Sequence, residues 1–429
     1  SGWRVGPGRR GRWKGQHAFY NARMAKVFDT TPGTAGQSAS VASALDSVVR
    51  RAITDNGGWL PFDRYMALAL YAPGLGYYAN HRRKFGSMPS SGSDFVTAPE
   101  LSPLFAQALA AQVAQALLAL AGATGPPQLM EFGAGSGALA EGLLDALDAL
   151  GDARLVVRHY AIVDLSGTLR QRQQARLARF GDRVQWLDAL PEAFDGVVLG
   201  NEVLDAMPVQ LLAFDGQHWF ERGVVVADAA LVQDAAQAEG HAELHPELQA
   251  ECLAWSDRPT ALRPPLDADF VPGTVVEIHP QAEAFVRTLA GVLRRGVALF
   301  IDYGFPEAEF YLPQRHSGTL MCHQAHRADT DPLVEVGAKD ITAHVNFSGI
   351  ALAGQDAGLD VIGYTSQARF LINCGLVDLL AGASLAQRAM AQKLINEHEM
   401  GELFKVIAMS RGLRFDPLGF AQGDRTHRL

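Results

Sequence analysis

The chain has 429 residues, of which 48% are hydrophobic and 19% charged, with a formal net charge of −9. It is longer than one ordinary domain and apolar enough to fill a sizeable core, which excludes intrinsic disorder for its body. The acidic balance argues against wrapping nucleic acid. Three scattered cysteines, Cys252, Cys322 and Cys374, form neither a disulfide framework nor a zinc site and suit a reducing compartment.

In chain order, the first 23 residues carry six Lys/Arg and no acid. They read as an expression tag or upstream read-through ahead of Met24, and residues 1–40 as a disordered basic tail. Val41–Asn56 and Phe62–Leu70 have helical patterns within an N-terminal helical region, 41–125. A Gly/Ser/Pro loop runs from Lys84 to Pro99. The apolar stretch Leu104–Ala121 is long enough to span a membrane. Ser102 and Pro103 open it as a cap and a first-turn proline, and Gln107, Gln112 and Gln115 share one half of the helix. That pattern predicts an amphipathic helix of a soluble body, with no membrane insertion.

Thr124-Gly125-Pro126-Pro127 breaks the helix and opens an α/β region, 126–412. Strands are predicted at Gln128–Phe132, Val156–Val163, Arg183–Leu187 and Gly196–Leu199, with helices at Leu139–Leu150 and Leu169–Phe180. The alternation returns at Thr274–Ile278 and Val297–Asp302 around a helix from Gln281 to Leu293. This is the order of an α/β, Rossmann-like doubly wound sheet. Insertions are expected at about 207–272, strand-like and then Ala-rich helical, and at 306–350. Residues 413–429 read as a disordered tail.

The first strand runs into Glu131-Phe132-Gly133-Ala134-Gly135-Ser136-Gly137-Ala138. Glycines there let backbone N–H groups and a helix N-terminus approach a ligand. The string also fits G-x-G-x-x-A, which keeps an NAD(P)-dependent oxidoreductase open. Glu131, two residues before the first glycine, favours the amino end of S-adenosylmethionine over a pyrophosphate. Asp164, ending the second strand, is placed to accept from two ribose hydroxyls, and Asp188, ending the third, from an adenine amino group. The alternative for Glu131 and Asp188 is an ordinary solvent-facing strand end.

After the fourth strand comes Gly200-Asn201-Glu202-Val203-Leu204-Asp205-Ala206-Met207-Pro208. Ligands of open α/β sheets bind at this edge. Glu202 and Asp205, spaced i, i+3, share a face and suit a guanidinium, whose donor fork matches two carboxylates. The alternative is a helix start capped by Asn201. Asp302 and Tyr303 stand at a further strand end, with Glu277 ending the strand before. Asp340–His344 lies in a Gly-rich stretch able to fold over the site. His323, His326 and His344 lack metal-ligand spacing, so no metal is expected. No G-x-S-x-G elbow occurs.

Together these residues resemble the MidA-like family. The resemblance rests on Gly76-Tyr77-Tyr78, Ser93 to Glu100, the Glu131–Gly137 turn, Asn201 to Pro208, Ile301 to Gly304, Asp340 to Val345 and Met400 to Lys405, in order across residues 41–412. Its mitochondrial members are arginine methyltransferases that assist assembly of respiratory complex I. The resemblance implies a class I S-adenosylmethionine fold and symmetric dimethylation of an arginine on a protein substrate, with a complex I subunit as that partner. It also implies a cytoplasmic location for a bacterial member and the mitochondrial matrix for a eukaryotic one, with a homodimer as a further expectation. By it, Gly133, Gly135, Gly137 and Glu131 line the cofactor, and Thr97, Pro99 and Glu100 lie on a closing loop. Asn201, Glu202 and Asp205 stand on the acceptor side, with Glu100, Asp302, Tyr303 and His344 as substrate contacts. Asp164 replaces the more usual Glu. A non-catalytic assembly factor that binds S-adenosylmethionine for stability is the alternative within this resemblance. A nucleic-acid methyltransferase is disfavoured because Asn-Glu stands where a base-stacking Pro-Pro-aromatic motif is needed.

Overall fold

The computed structural model describes residues 37–80, 97–121, 125–228, 251–324 and 327–429. The chain divides into Ser1–Val41 and Ala42–Leu429. The basic tail lies largely outside the described residues. The break expected near 125 separates layers of one body, because 42–429 is a single unit.

Apolar runs buried on both faces build the central sheet, as parallel strands require. Its strands are β1 (Gln128–Phe132), β2 (His159–Val163), β3 (Val184–Leu187), β4 (Phe194–Asn201), β5 (Leu293–Phe305), β6 (Asp360–Ser366) and β7 (Phe404–Arg411). In space they run β3–β2–β1–β4–β5–β7–β6, with Val345–Asn346 added beside the end of β5. Strands β1 to β5 are parallel, and β7 is antiparallel to both neighbours. The strand order reverses between β1 and β4, which opens a crevice at their carboxyl ends.

Two helical layers cover the sheet. One holds α1 (Pro103–Leu120) and α2 (Ala138–Ala149); the other holds α4 (Pro280–Val292) and α5 (Phe347–Asp356), with α3 (Gly167–Leu177) following β2. Helix α1 is the one described helix long and apolar enough to cross a membrane, and 67% of it is buried inside the protein. Gln112, on the half of α1 expected to face water, is 1% exposed.

The partner of that polar half is the C-terminal segment, which corrects the expectation of a disordered tail at 413–429. Gly419 N donates to Gln112 Oε1 at 2.8 Å, Leu418 N to Gln115 Oε1 at 2.8 Å, and Gln115 Nε2 to the Asp416 carbonyl at 2.9 Å. Phe420 packs against Phe370 at 5.4 Å between ring centroids, and Asp424 accepts from Tyr364 N at 3.0 Å. A polar composition concealed a segment whose backbone satisfies otherwise buried amides.

The chain between β4 and β5 forms a second, antiparallel sheet, Gln210–Phe214, Trp219–Asp228, Glu251–Pro259 and Val275–Ile278, joined by Leu60–Pro61. Val275–Ile278 therefore does not rejoin the central sheet as expected; it pairs with Gln210–Phe214. Its carboxylate, Glu277, is 1% exposed and finds its donors in this position, accepting from Thr319 N at 2.7 Å and Leu320 N at 2.9 Å. The Ala-rich part of this insertion lies outside the described residues. A small third sheet, Met321–Gln324, Arg327–Asp329 and Asp340–Thr342, precedes α5. Replacing Phe420 by Ala should cost about 3–5 kcal/mol, read as a shift in the denaturant midpoint; a cost below about 1 kcal/mol would show the tail to be loosely held.

Candidate active site

At the end of β1 the backbone turns through Gly133, Gly135 and Gly137, with φ of 60°, 55° and 83°. Only glycine adopts such values cheaply. A Cβ on Gly133 would also stand 3.1 Å from Val203 Cγ2, so the turn and the loop after β4 touch. Ser136 in this turn hydrogen-bonds the Glu100 carboxylate. Arg176 on α3 pairs with Glu100 at 3.0 Å and with Glu141 at 3.0 Å. The short helix Ala98–Leu101, preceded by Thr97 and with Pro99 in its first turn, is thereby held over the glycine turn. Glu100, expected at the acceptor, sits with the turn. Arg176 went unnoticed in the sequence because nothing in its own helix marks it.

Glu131 is 2% exposed and accepts from the Tyr160 hydroxyl at 2.6 Å. Burial pushes its pKa up to about 7, opposed by Tyr160 and aided by the charge of Asp164. Asp164 follows β2, accepting from Ser166 N at 2.9 Å and Gln173 Nε2 at 2.7 Å. Burial raises its pKa as well. Gln173 also donates to the Gly135 carbonyl at 3.0 Å and accepts from Trp186 at 2.9 Å, so one side chain joins the turn, Asp164 and β3. Asp188 lies beyond β3, paired with Arg170, its side chain 85% exposed. Leu165, next to Asp164, is 82% exposed, an apolar surface where an aromatic ring fits.

The loop after β4 is shaped from beneath. Asp302 Oδ2, at the end of β5, accepts from the backbone N–H groups of Val203, Leu204 and Asp205 at 3.1, 2.9 and 3.2 Å, and Oδ1 from Tyr303 N at 3.0 Å. Asp302 is 1% exposed. It holds the loop after β4, and both of its oxygens accept from backbone amides. Burial and the charges of Asp205 and Glu202 push its pKa up, against the pull of the Asp205 and Leu204 amides. Glu202 takes φ of 53°, unusual for a residue with a Cβ, and its N donates to the Ile301 carbonyl at 2.8 Å. Outliers of this kind gather at functional sites.

Glu202 accepts from Asn201 Nδ2 at 3.0 Å and from the Ala98 backbone N–H. The acceptor loop and the segment over the glycine turn are therefore linked. Burial, then the Asp205 charge, pushes the Glu202 pKa up to about 8. Asp205, raised to about 6 by burial, is hydrogen-bonded by the Tyr303 side chain. Asp205 Oδ1 and Asn201 Oδ1 are buried without a hydrogen-bond partner among the described residues. Two such acceptors together are costly unless a ligand supplies donors.

Tyrosines close the walls. Tyr71 OH donates to the Ala206 carbonyl at 2.8 Å and stacks on Tyr78 at 5.6 Å, whose own hydroxyl donates to Asp340 Oδ2 at 2.9 Å. Ala343 N donates to the Asp205 carbonyl at 3.0 Å. His344 packs edge-on to Tyr303 at 4.9 Å and stacks on Phe305 at 5.4 Å. Burial, then the Arg315 charge, lowers its pKa to about 4. Tyr71 had no motif to reveal it; helical periodicity assigns such a residue to the core.

Residues 108–365, more than half of the chain, match the family model described as "Putative S-adenosyl-L-methionine-dependent methyltransferase". The chain belongs to this family. A Burkholderia thailandensis protein crystallised with S-adenosylhomocysteine is 50% identical, with a TM-score of 0.82 covering 93% of this chain and all of that one. The mitochondrial protein arginine methyltransferase NDUFAF7 homologue of Drosophila melanogaster is 28% identical over 416 residues, 89% of this chain and 88% of that one. NDUFAF7 of Danio rerio is 27% identical, covering 80% and 82%. The MidA-like resemblance holds, and the protein is an S-adenosylmethionine-dependent methyltransferase. The nicotinamide reading is set aside with it.

The residues present fit that cofactor. The glycine turn is a cradle that a Cβ at Gly133 would crowd, and Glu131 offers a carboxylate beneath it in place of an apolar residue. Replacing Asp302 by Ala should lower kcat/KM by about 100-fold while S-adenosylhomocysteine affinity, measured by calorimetry, stays unchanged. Equal loss of both would mean that Asp302 supports the whole crevice rather than the acceptor loop.

Proposed function

We propose that the protein is an arginine N-methyltransferase acting on a protein substrate. The observation that carries this reading is the pair of carboxylates, half-buried Glu202 and buried Asp205, with Asp205 Oδ1 lacking a donor. A guanidinium brings a planar fork of donors, and its charge offsets the cost of ionising both acids. The names of the curated relatives agree with the substrate.

S-adenosylmethionine supplies an electrophilic methyl group on sulfonium sulfur. Gly133, Gly135 and Gly137 would cradle it through their backbone, with Glu131 toward its amino end, Asp164 toward the ribose diol and Leu165 beside the adenine. Asp188, exposed and paired with Arg170, contributes at most to the adenine edge. The helix Ala98–Leu101 excludes water from the junction of the two subsites through Glu100 and Ala98. Asp205 Oδ1 accepts one guanidinium N–H, and Glu202, ionised by the incoming cation, accepts another. The attacking nitrogen is thus fixed in line, where orientation supplies much of the rate. Methyl transfer forms an N–C bond as the methyl–sulfur bond breaks, its electron pair returning to sulfur to leave S-adenosylhomocysteine, and Asp205 would take the proton lost from the nitrogen. Asn201 keeps Glu202 in place, and Tyr303 keeps Asp205. Assistance of complex I assembly, in the matrix or a bacterial cytoplasm, belongs to the same reading, with a complex I subunit as substrate.

The Glu202→Gln/Asp205→Asn variant should lose methyl transfer to arginine peptides while retaining S-adenosylhomocysteine. In the unmodified protein kcat/KM should climb through about pH 8, as Glu202 gives up its proton to receive the cation, and Glu202→Gln should flatten that limb. Transfer to lysine or to a hydroxyl with arginine untouched would overturn the substrate assignment.

A further inference from the structure

Beside the acceptor carboxylates lies a patch of opposite sign that the reaction as derived does not use. From Asp205 the contacts run to Tyr303, then edge-on to His344, which stacks flat against Phe305. The Arg315 guanidinium lies over the Phe305 ring, 3.6 Å from its centroid. Lys405, cross-strand from Asp302, stands 5.7 Å from the same ring. Arg425 and Arg428 carry further positive charge next to Lys405.

The carboxylates at hand are already engaged. Glu402 is paired with Arg425, and Glu309 with Arg428 at 2.6 Å. Lys405 is 4% exposed and spends its ammonium on the carbonyls of Glu402 and Leu403, so it contributes charge without reaching a ligand. Arg315 differs. Its Nε donates to the Glu309 carbonyl at 3.0 Å, and it makes no ion pair with a carboxylate among the described residues. Its guanidinium rests over the ring, and the remaining donors of the fork suit bidentate capture of a carboxylate. In a chain of net charge −9, this local excess of cations next to an acidic pocket is not a general property of the surface.

We propose that Arg315, stacked on Phe305, is a specificity-determining residue that binds an acidic side chain of the substrate protein a few residues from the target arginine. This rests on the arginine reading of the acceptor pocket and deepens it. The site then presents minus at Glu202/Asp205 and plus at Arg315, and selects an arginine with an acidic neighbour over arginines set among glycines or other cations. Arg315 is reached from Tyr303 over three successive ring contacts of 4.9, 5.4 and 3.6 Å, a path that an extended peptide covers in a few residues at about 3.3 Å per residue.

The test uses the full chain with S-adenosylmethionine and a set of peptides carrying one arginine, in which Glu or Gln is placed in turn at each of the flanking positions. Glu at one or two positions should raise kcat/KM by about 10-fold over Gln. Arg315→Gln should bring that ratio to about one, and Arg315→Lys, which keeps the charge and loses the fork, should retain part of it. Arg315→Glu should reverse the preference towards Lys at the same positions, a gain that a merely misfolded variant cannot show. Calorimetric binding of S-adenosylhomocysteine checks that each variant is folded. Arginine methylated equally in Glu and Gln peptides overturns the Arg315 proposal and leaves the arginine reading standing. Methyl transfer to another residue type, with every arginine untouched, overturns the arginine reading and this proposal with it.

Discussion

One carboxylate shapes the reaction centre from behind. Asp302 Oδ2 gathers three consecutive amides of the loop after β4, and this fixes where Glu202 and Asp205 point. The parallel pairing of β4 with β5, up to Asn201 against Ile301, brings Asp302 beneath that loop. Without such an anchor the three neighbouring acids would push the loop apart, because burial raises all three and neighbouring charge adds to it at Glu202 and Asp302. Converging backbone N–H groups offset part of that cost, and the remaining acceptor capacity is left facing the crevice.

The same loop is coupled to the cofactor side by two short bridges. Val203 packs on Gly133, and the Ala98 amide reaches Glu202 while Glu100 holds Ser136 and Arg176. The two subsites are therefore neighbours in one hydrogen-bonded frame. Gln173 extends that frame to Asp164 and Trp186, so the ends of β2 and β3 are tied to the same side chain that steadies the turn. Function here depends less on any single strong contact than on polar groups with no freedom to move.

Much of this was legible in the sequence where a motif carries its own geometry. The glycine turn and Asp164 at a strand end follow from local periodicity, and the structure brings them to one edge of the sheet with Glu202 and Asp205; the helical turn expected to align those two does not form, since Glu202 takes a φ of 53°. Long-range partnerships were not legible. Asp302 reads as another acid at a strand end, and only the register of β5 on β4 turns it into the support of a loop. Glu100 was expected at the acceptor, yet Arg176, 76 residues further along, holds it at the glycine turn. The C-terminal segment looks disordered because its partners, Gln112 and Gln115, lie about 300 positions away; the same glutamines suggested a wet helix face. Val275–Ile278 misleads for a related reason, since a short apolar run does not say which sheet it joins.

The central claim is that Glu202 and Asp205, held by Asp302, receive a guanidinium beside the cofactor. A crystal structure of the protein with S-adenosylhomocysteine and an arginine peptide tests it most directly. The account predicts a guanidinium nitrogen within hydrogen-bond distance of Asp205 Oδ1, a second on Glu202, and the three amides still on Asp302. A peptide arginine seated elsewhere, with Asp205 Oδ1 facing the protein interior and no ligand donor, would contradict it.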